Sequence, residues 1–174
     1  MRQLTLVRHG HALNATPGTQ DADRALSATG RQEALTTARS LAATKTAPDL
    51  LLVSPAVRTQ QTAELLQAHA FPGVPVITER PLYLATLAQL LDCLRSLDEA
   101  VSSVVLIGHN PGLSELCTHL ARDGSTVELD TAEKMAASEN GRISASFPSV
   151  GRIKYRMAVP RPPIPLANTA NHIR

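Results

Sequence analysis

The sequence predicts an α/β fold, a three-layer αβα sandwich with a mostly parallel central sheet and helices on both faces. Two observations carry that reading. Short runs dominated by Leu, Val and Ile, at Leu4–Val7, Asp49–Val53 and Ser103–Gly108, have the continuous apolar character of buried strands. Between them apolar residues recur at helical spacing, so strand and helix alternate along the chain. A chain of 174 residues suits one domain with a real core. Aromatics make up only 2%, so that core must be built from Leu, Val, Ile and Ala.

The first strand, Leu4–Val7, stops abruptly in Arg8-His9-Gly10. In an open α/β sheet, ligands bind just outside the carboxyl ends of the strands. Gly10 lets the backbone turn sharply and come close to whatever sits there. Arg8 brings a planar fork of donors suited to phosphate or carboxylate. His9 brings a ring nitrogen that can attack, carry a proton or bind a metal. A polar loop follows from about His11 to Arg24. Ser27 then caps a helix whose Ala34, Leu35, Ala38, Leu41 and Ala42 lie at helical spacing. His9 and His11 form a possible metal pair, although Arg8 beside them would repel a cation.

The second strand, Asp49–Val53, ends at Ser54-Pro55. Ser54 is expected to cap the next helix, with Pro55 at the first position, where a missing N–H costs nothing. Arg58 then falls on the first turn and can reach back over the sheet end towards Arg8. Two such arginines repel one another unless an anion lies between them. After a turn at Phe71–Pro75, Val74–Thr78 is expected as a short third strand. Pro75 cannot donate to a ladder, which places that strand at an edge. Leu82–Leu97 reads as one helix burying Leu87, Leu90, Leu91 and Leu94.

The strand Ser103–Gly108 repeats the opening pattern and is followed by His109. Asn110 and Pro111 are placed to start another helix, with Leu113, Leu116, Cys117 and Leu120 on its apolar face. A helix N-terminus there would offer free N–H groups to an anion. Beyond Arg122 the pattern predicts a loop over Thr126–Ala132, a strand near Lys134–Ser138 and a turn at Asn140-Gly141. An alternating strand over Arg152–Val159 closes the fold. Residues 1–160 form the single expected domain, and 161–174 a proline-rich, irregular tail.

Composition narrows the classes. A net charge of +2 without a dense Lys/Arg run argues against a nucleic-acid partner. The opening apolar run is interrupted at Arg8-His9, too early for a signal peptide, and no stretch is long enough to span a membrane. A cytoplasmic chain is therefore expected. Cys93 and Cys117 lack metal or redox spacing and are expected as buried free thiols. His69, His119 and His172 are expected to be surface or packing residues.

Leu6-Val7-Arg8-His9-Gly10 resembles the signature of the histidine phosphatase (phosphoglycerate mutase-like) superfamily. Asp23–Ser27, Ser54–Ala63 and Gly108-His109 resemble its later blocks in the right order. The likeness runs from about Gln3 to Gly112, more weakly to about Pro160, and the short chain resembles the SixA-type phosphohistidine phosphatases. This resemblance implies a phosphoglycerate mutase-like fold and a phosphatase that forms a covalent phosphohistidine. By the same likeness His9 is the nucleophile, and Arg8, Arg58 and His109 hold the phosphoryl oxygens. Neither cofactor nor metal is implied, because the arginines supply the positive charge. They should also favour the neutral form of His9.

Many relatives that cleave phosphomonoesters carry a glutamate after the third strand that protonates the leaving oxygen. Glu79 is the candidate here, although its placement departs from that pattern, and Asp23 is a second. The family's long insertions over small-molecule pockets are also missing. Both departures favour a phosphohistidine-bearing protein over a small phosphorylated substrate. Three alternatives stand beside this reading. One is the same chemistry on small phosphomonoesters. Another is a phosphate-binding module without turnover. The third is a metal-dependent hydrolase using His9, His11 and His109 with Asp21.

Overall fold

Strand alternation divides the apolar runs between two cores. The computed structural model describes residues 2–44, 47–122, 126–128 and 150–155. In it, β1 (Arg2–Arg8), β2 (Leu50–Val53), β3 (Val76–Thr78) and β4 (Ser103–Gly108) pair in parallel. Leu4, Leu6, Leu52, Val104 and Leu106 pack on one face. They meet Leu90 and Leu94 of α3 (Leu87–Arg95) and Leu113 and Leu116 of α4 (Gly112–Arg122). Val7, Leu51, Val53, Val105 and Ile107 pack on the other face. Their partners are Ala38 and Leu41 of α1 (Ala28–Ala42) and Ala63 and Leu66 of α2 (Val57–His69). Helices on both sides are the reason β1, β2 and β4 bury apolar side chains on both of their faces. The expected three-layer α/β sandwich is the one observed.

Among the described residues the sheet order is β3-β2-β4-β1-β6-β5, with β5 at Thr126–Glu128 and β6 at Val150–Tyr155. β6 runs antiparallel to β1, and β5 antiparallel to β6. β3 is an edge strand immediately after Pro75, as that residue requires. Ser27 caps α1 by accepting a hydrogen bond from the Gly30 N–H at 3.1 Å. Cys93 is half-buried and Cys117 buried, both as free thiols, and burial pushes the Cys117 thiol up to about 11. No helix among the described residues is long and apolar enough to cross a membrane.

Several elements differ from the sequence reading. Thr126–Glu128 is a strand, not a loop, because its backbone pairs with β6, a contact that local periodicity does not encode. The late strand begins at Val150, and its expected continuation past Tyr155 lies outside the described residues, as do Lys134–Ser138, Asn140-Gly141 and the tail. α2 starts at Val57 with Ala56 as its N-cap, so neither Ser54 nor Pro55 fills the role expected of it. Ser54 is still held by the sheet, since its N–H donates to the Ile107 carbonyl at 3.1 Å. α3 starts at Leu87, five residues later than expected. A 3-10 turn at Arg80–Leu82 and the left-handed Leu84 (φ 46°) interrupt the helical path. Thr86 and Gln89 then form a reciprocal capping box that opens α3.

Candidate active site

β1 and β4 are parallel neighbours in register, with Arg8 opposite Gly108. Their two histidines therefore emerge side by side at the carboxyl edge. The His9 N–H donates to the Gly108 carbonyl at 3.3 Å, and the rings meet edge to face with centroids 5.1 Å apart. Gly10 serves close approach. A Cβ there would drive into the Gly30 carbonyl, and one on Gly30 into the backbone of His11. The start of α1 thus presses directly on the segment carrying His9.

The proton on His9 can be located from its partners. Nδ1 lies 2.7 Å from the Gly10 carbonyl oxygen, which can only accept, so Nδ1 carries the hydrogen. Nε2 keeps its lone pair and accepts from Arg58 Nε at 3.3 Å. The ring is held below the ordinary histidine range, first by burial and then by Arg58, Arg8 and Arg24, against the opposing Gly10 contact.

Arg58 is 3% exposed, a buried cation that needs a partner. Asp21 supplies it. The Asp21 carboxylate accepts from Arg58 at 2.8 Å, from Arg24 at 2.8 Å and from the Tyr83 hydroxyl at 2.8 Å. Its backbone carbonyl accepts a further bond from Arg58. These donors, Arg24 foremost, hold the Asp21 carboxyl far below the usual carboxylate range. Arg8 is half-buried, and its side chain has no hydrogen-bond or ion-pair partner among the described residues.

His109 is 5% exposed, and its Nε2 lies 2.7 Å from the Ser54 hydroxyl. Its Nδ1 is buried with no partner. Burial, then His9 and Arg58, push its pKa down to about 3, so the ring is neutral. Tyr83 stacks edge-on against it at 5.6 Å.

Arg8, His9, Arg58 and His109 all line one cleft of about 620 Å³, with Asn14, Asp21, Arg24, Glu33 and Leu84 also on its wall. Glu79 is not in that lining. Its charge instead adds to burial in raising the Cys93 thiol of α3. Asp23 is exposed and likewise outside the lining. His11 lines the cleft, but its Nδ1 is 2.8 Å from the Ser27 hydroxyl. Among the described residues no three of His, Cys, Asp and Glu gather closely enough to hold a metal ion. Sequence reasoning missed how Asp21, Tyr83 and Ser54 engage the cluster. Only Ser54 left a usable signal, standing directly after a buried strand as His9 and His109 do.

The parallel strands β1 and β4 thus end in Arg8-His9 and in a second histidine, His109, on the wall of one cleft. The chain belongs to the histidine phosphatase superfamily, whose family model, described as Histidine phosphatase superfamily (branch 1), matches residues 4–83. It is similar to a structure assigned to a SixA phosphohistidine phosphatase of Agrobacterium tumefaciens, at 33% identity and a TM-score of 0.66. That match covers 71% of this chain and 79% of the other. It is also similar to the protein histidine phosphatase SixA solved with tungstate, at 28% identity and a TM-score of 0.62, over 68% of this chain and 76% of that one. An uncharacterised chloroplastic protein of Arabidopsis thaliana is 30% identical over 75% of this chain, which spans 63% of that relative's length.

Proposed function

We propose that this chain removes phosphate from phosphohistidine on a protein, through a phosphoryl group carried on Nε2 of His9. The observation that carries the reading is the tautomer of His9: the Gly10 carbonyl occupies Nδ1–H and leaves the Nε2 lone pair in the cleft beside Arg58. In the first step that lone pair attacks phosphorus. The bond from phosphorus to the leaving nitrogen breaks, its electron pair goes to the leaving imidazole, and that imidazole takes a proton from water. In the second step a water oxygen attacks phosphorus and the P–Nε2 bond breaks. Its pair returns to His9, and the water proton leaves with phosphate or solvent. Arg8, Arg58 and His109 hold the non-bridging oxygens. Such charge-assisted bonds contribute roughly 1.5–3 kcal/mol each, and more where water is excluded. The arginines supply the positive charge, so the reaction proceeds without a metal.

The choice of substrate rests on the leaving group. The carboxylates lining the cleft, among the described residues, are Asp21 and Glu33. Asp21 is locked as an anion by its three donors, and Glu33 accepts from the His11 N–H at 2.8 Å. Neutral His109 adds no acidic proton. An alkoxide needs a general acid, whose help is worth about 10²–10⁴-fold, whereas imidazole leaves with a proton from solvent. The likeness to a SixA solved with tungstate, a tetrahedral oxyanion, supports an oxyanion in the cleft.

A panel of phosphohistidine protein, aryl phosphate and sugar phosphates, run throughout with chelator, tests this. The phosphoprotein should have the highest kcat/KM, unchanged by the chelator. A sugar phosphate as best substrate would overturn the substrate choice, and loss of all activity in chelator would overturn the mechanism.

A further inference from the structure

We propose that Ser54 is a positioning residue whose hydroxyl donates to Nε2 of His109, placing that ring's proton on Nδ1 so that the neutral imidazole donates to the phosphoryl group. This deepens the phosphatase reading and rests on it for the identity of the ligand.

Ser54 is fully buried, at 0% exposure. Its backbone is fixed on both sides: the N–H donates to Ile107, and the carbonyl accepts from Thr59 Oγ1 at 2.8 Å and Gln60 Nε2 at 2.9 Å. It caps no helix. The partner of its hydroxyl is the His109 ring, 2.7 Å away.

On the other side of that ring, Nδ1 is buried and unpartnered. A buried polar atom without a partner costs about 1–3 kcal/mol and calls for an explanation, which a ligand in the cleft provides. Neutral imidazole has one donor and one acceptor. A phosphoryl oxygen only accepts, so Nδ1 must carry the hydrogen and Nε2 must accept. A serine hydroxyl can donate to Nε2, which a backbone carbonyl cannot. His9 is the counterpart. There a carbonyl binds Nδ1–H and leaves a lone pair, while at His109 a hydroxyl at the Nε2 lone pair leaves a buried Nδ1–H without a protein partner. His9, Tyr83, Arg58 and Asp21 are the other ionisable groups acting on or stacked against His109, and burial with the nearby Arg58 keeps it uncharged.

The test is nitrogen NMR of the full chain labelled at histidine, joined to titration with inorganic phosphate. Wild type should show His109 as the Nδ1–H tautomer before any ligand is added. Ser54→Ala should move the ring towards Nε2–H and weaken phosphate binding about 10–100-fold. Ser54→Thr, which restores a hydroxyl, should recover both. A wild-type Nε2–H tautomer would overturn the role of Ser54 even if phosphate binds, and needs no variant to be folded. Folded Ser54→Ala with unchanged phosphate affinity would overturn it too. Failure of wild type to bind phosphate at all would instead overturn the phosphatase reading, and with it the ligand assigned to Nδ1.

Discussion

Arg58 donates from Nε to Nε2 of His9 across 3.3 Å, so the most buried cation of the cleft points at the lone pair of the His9 ring. That contact needs a neutral imidazole and disfavours a protonated one. The acid limb of kcat/KM should therefore lie below the ordinary histidine value of about 6.5. Arg8→Gln removes one of the charges that lower His9 and should shift the limb upward. A pH profile of the two proteins decides it, and an unmoved or lowered limb in the variant would count against the electrostatic account.

Replacing His9 with alanine should abolish both turnover and acid-labile labelling by a phosphoryl donor. The fold should survive, because the side chain is half-buried and bonds to its own neighbour's carbonyl. Circular dichroism establishes folding, and labelling that persists in the folded variant removes His9 from the role.

Stability should fall on acidification before the carboxylates titrate. His109 has a folded pKa of about 3, against about 6.5 in the unfolded chain, so between those values the unfolded state binds more protons. Its contribution is complete above about pH 6.5 and is lost as the pH drops towards 3, at about 1.4 kcal/mol for each unit crossed. His9, also lowered, acts with the same sign. Asp21 is a depressed carboxyl whose share is lost only below about pH 4. Urea midpoints between about pH 4.5 and 7 should drop steeply in wild type and less so in His109→Gln. Equal slopes would show that His109 does not carry the effect.

Gly30→Ala should destabilise the protein by about 1–3 kcal/mol, since the new methyl meets backbone and not a flexible side chain. Activity should fall further than stability accounts for, because His11 and the neighbouring His9 must shift. Thermal melts together with kcat at a temperature where the variant is folded separate the two effects.

The strands and the four cleft residues named from sequence were legible for a shared reason. Leu4–Val7 and Ser103–Gly108 announce themselves by composition, and Arg8, His9 and His109 follow them directly. Arg58 sits on the first turn of α2, where local reasoning also reaches. Asp21 was not legible in this way. It lies in a polar loop and meets Arg58 across 37 residues, and Tyr83 across 62, so no local pattern signals the contact. Ser54 misled because serine before proline reads as a cap, and only the position of β4 reveals that its hydroxyl is engaged elsewhere. The start of α3 misled similarly, because the residues from Leu82 to Leu87 carry no strong break in sequence, and the left-handed Leu84 leaves no mark in hydrophobic pattern.

The register that sets Arg8 beside Gly108 makes strand length a tolerance limit. A residue inserted within β1 or β4 would carry one histidine about 3.3 Å along the sheet and turn the side chains beyond the insertion to the opposite face. The same insertion in the polar loop between Ala12 and Leu26 leaves the strand pair intact, because that loop is outside the ladder. Loop length can therefore vary there without shifting the two histidines against each other, provided Asp21 keeps its contact with Arg58.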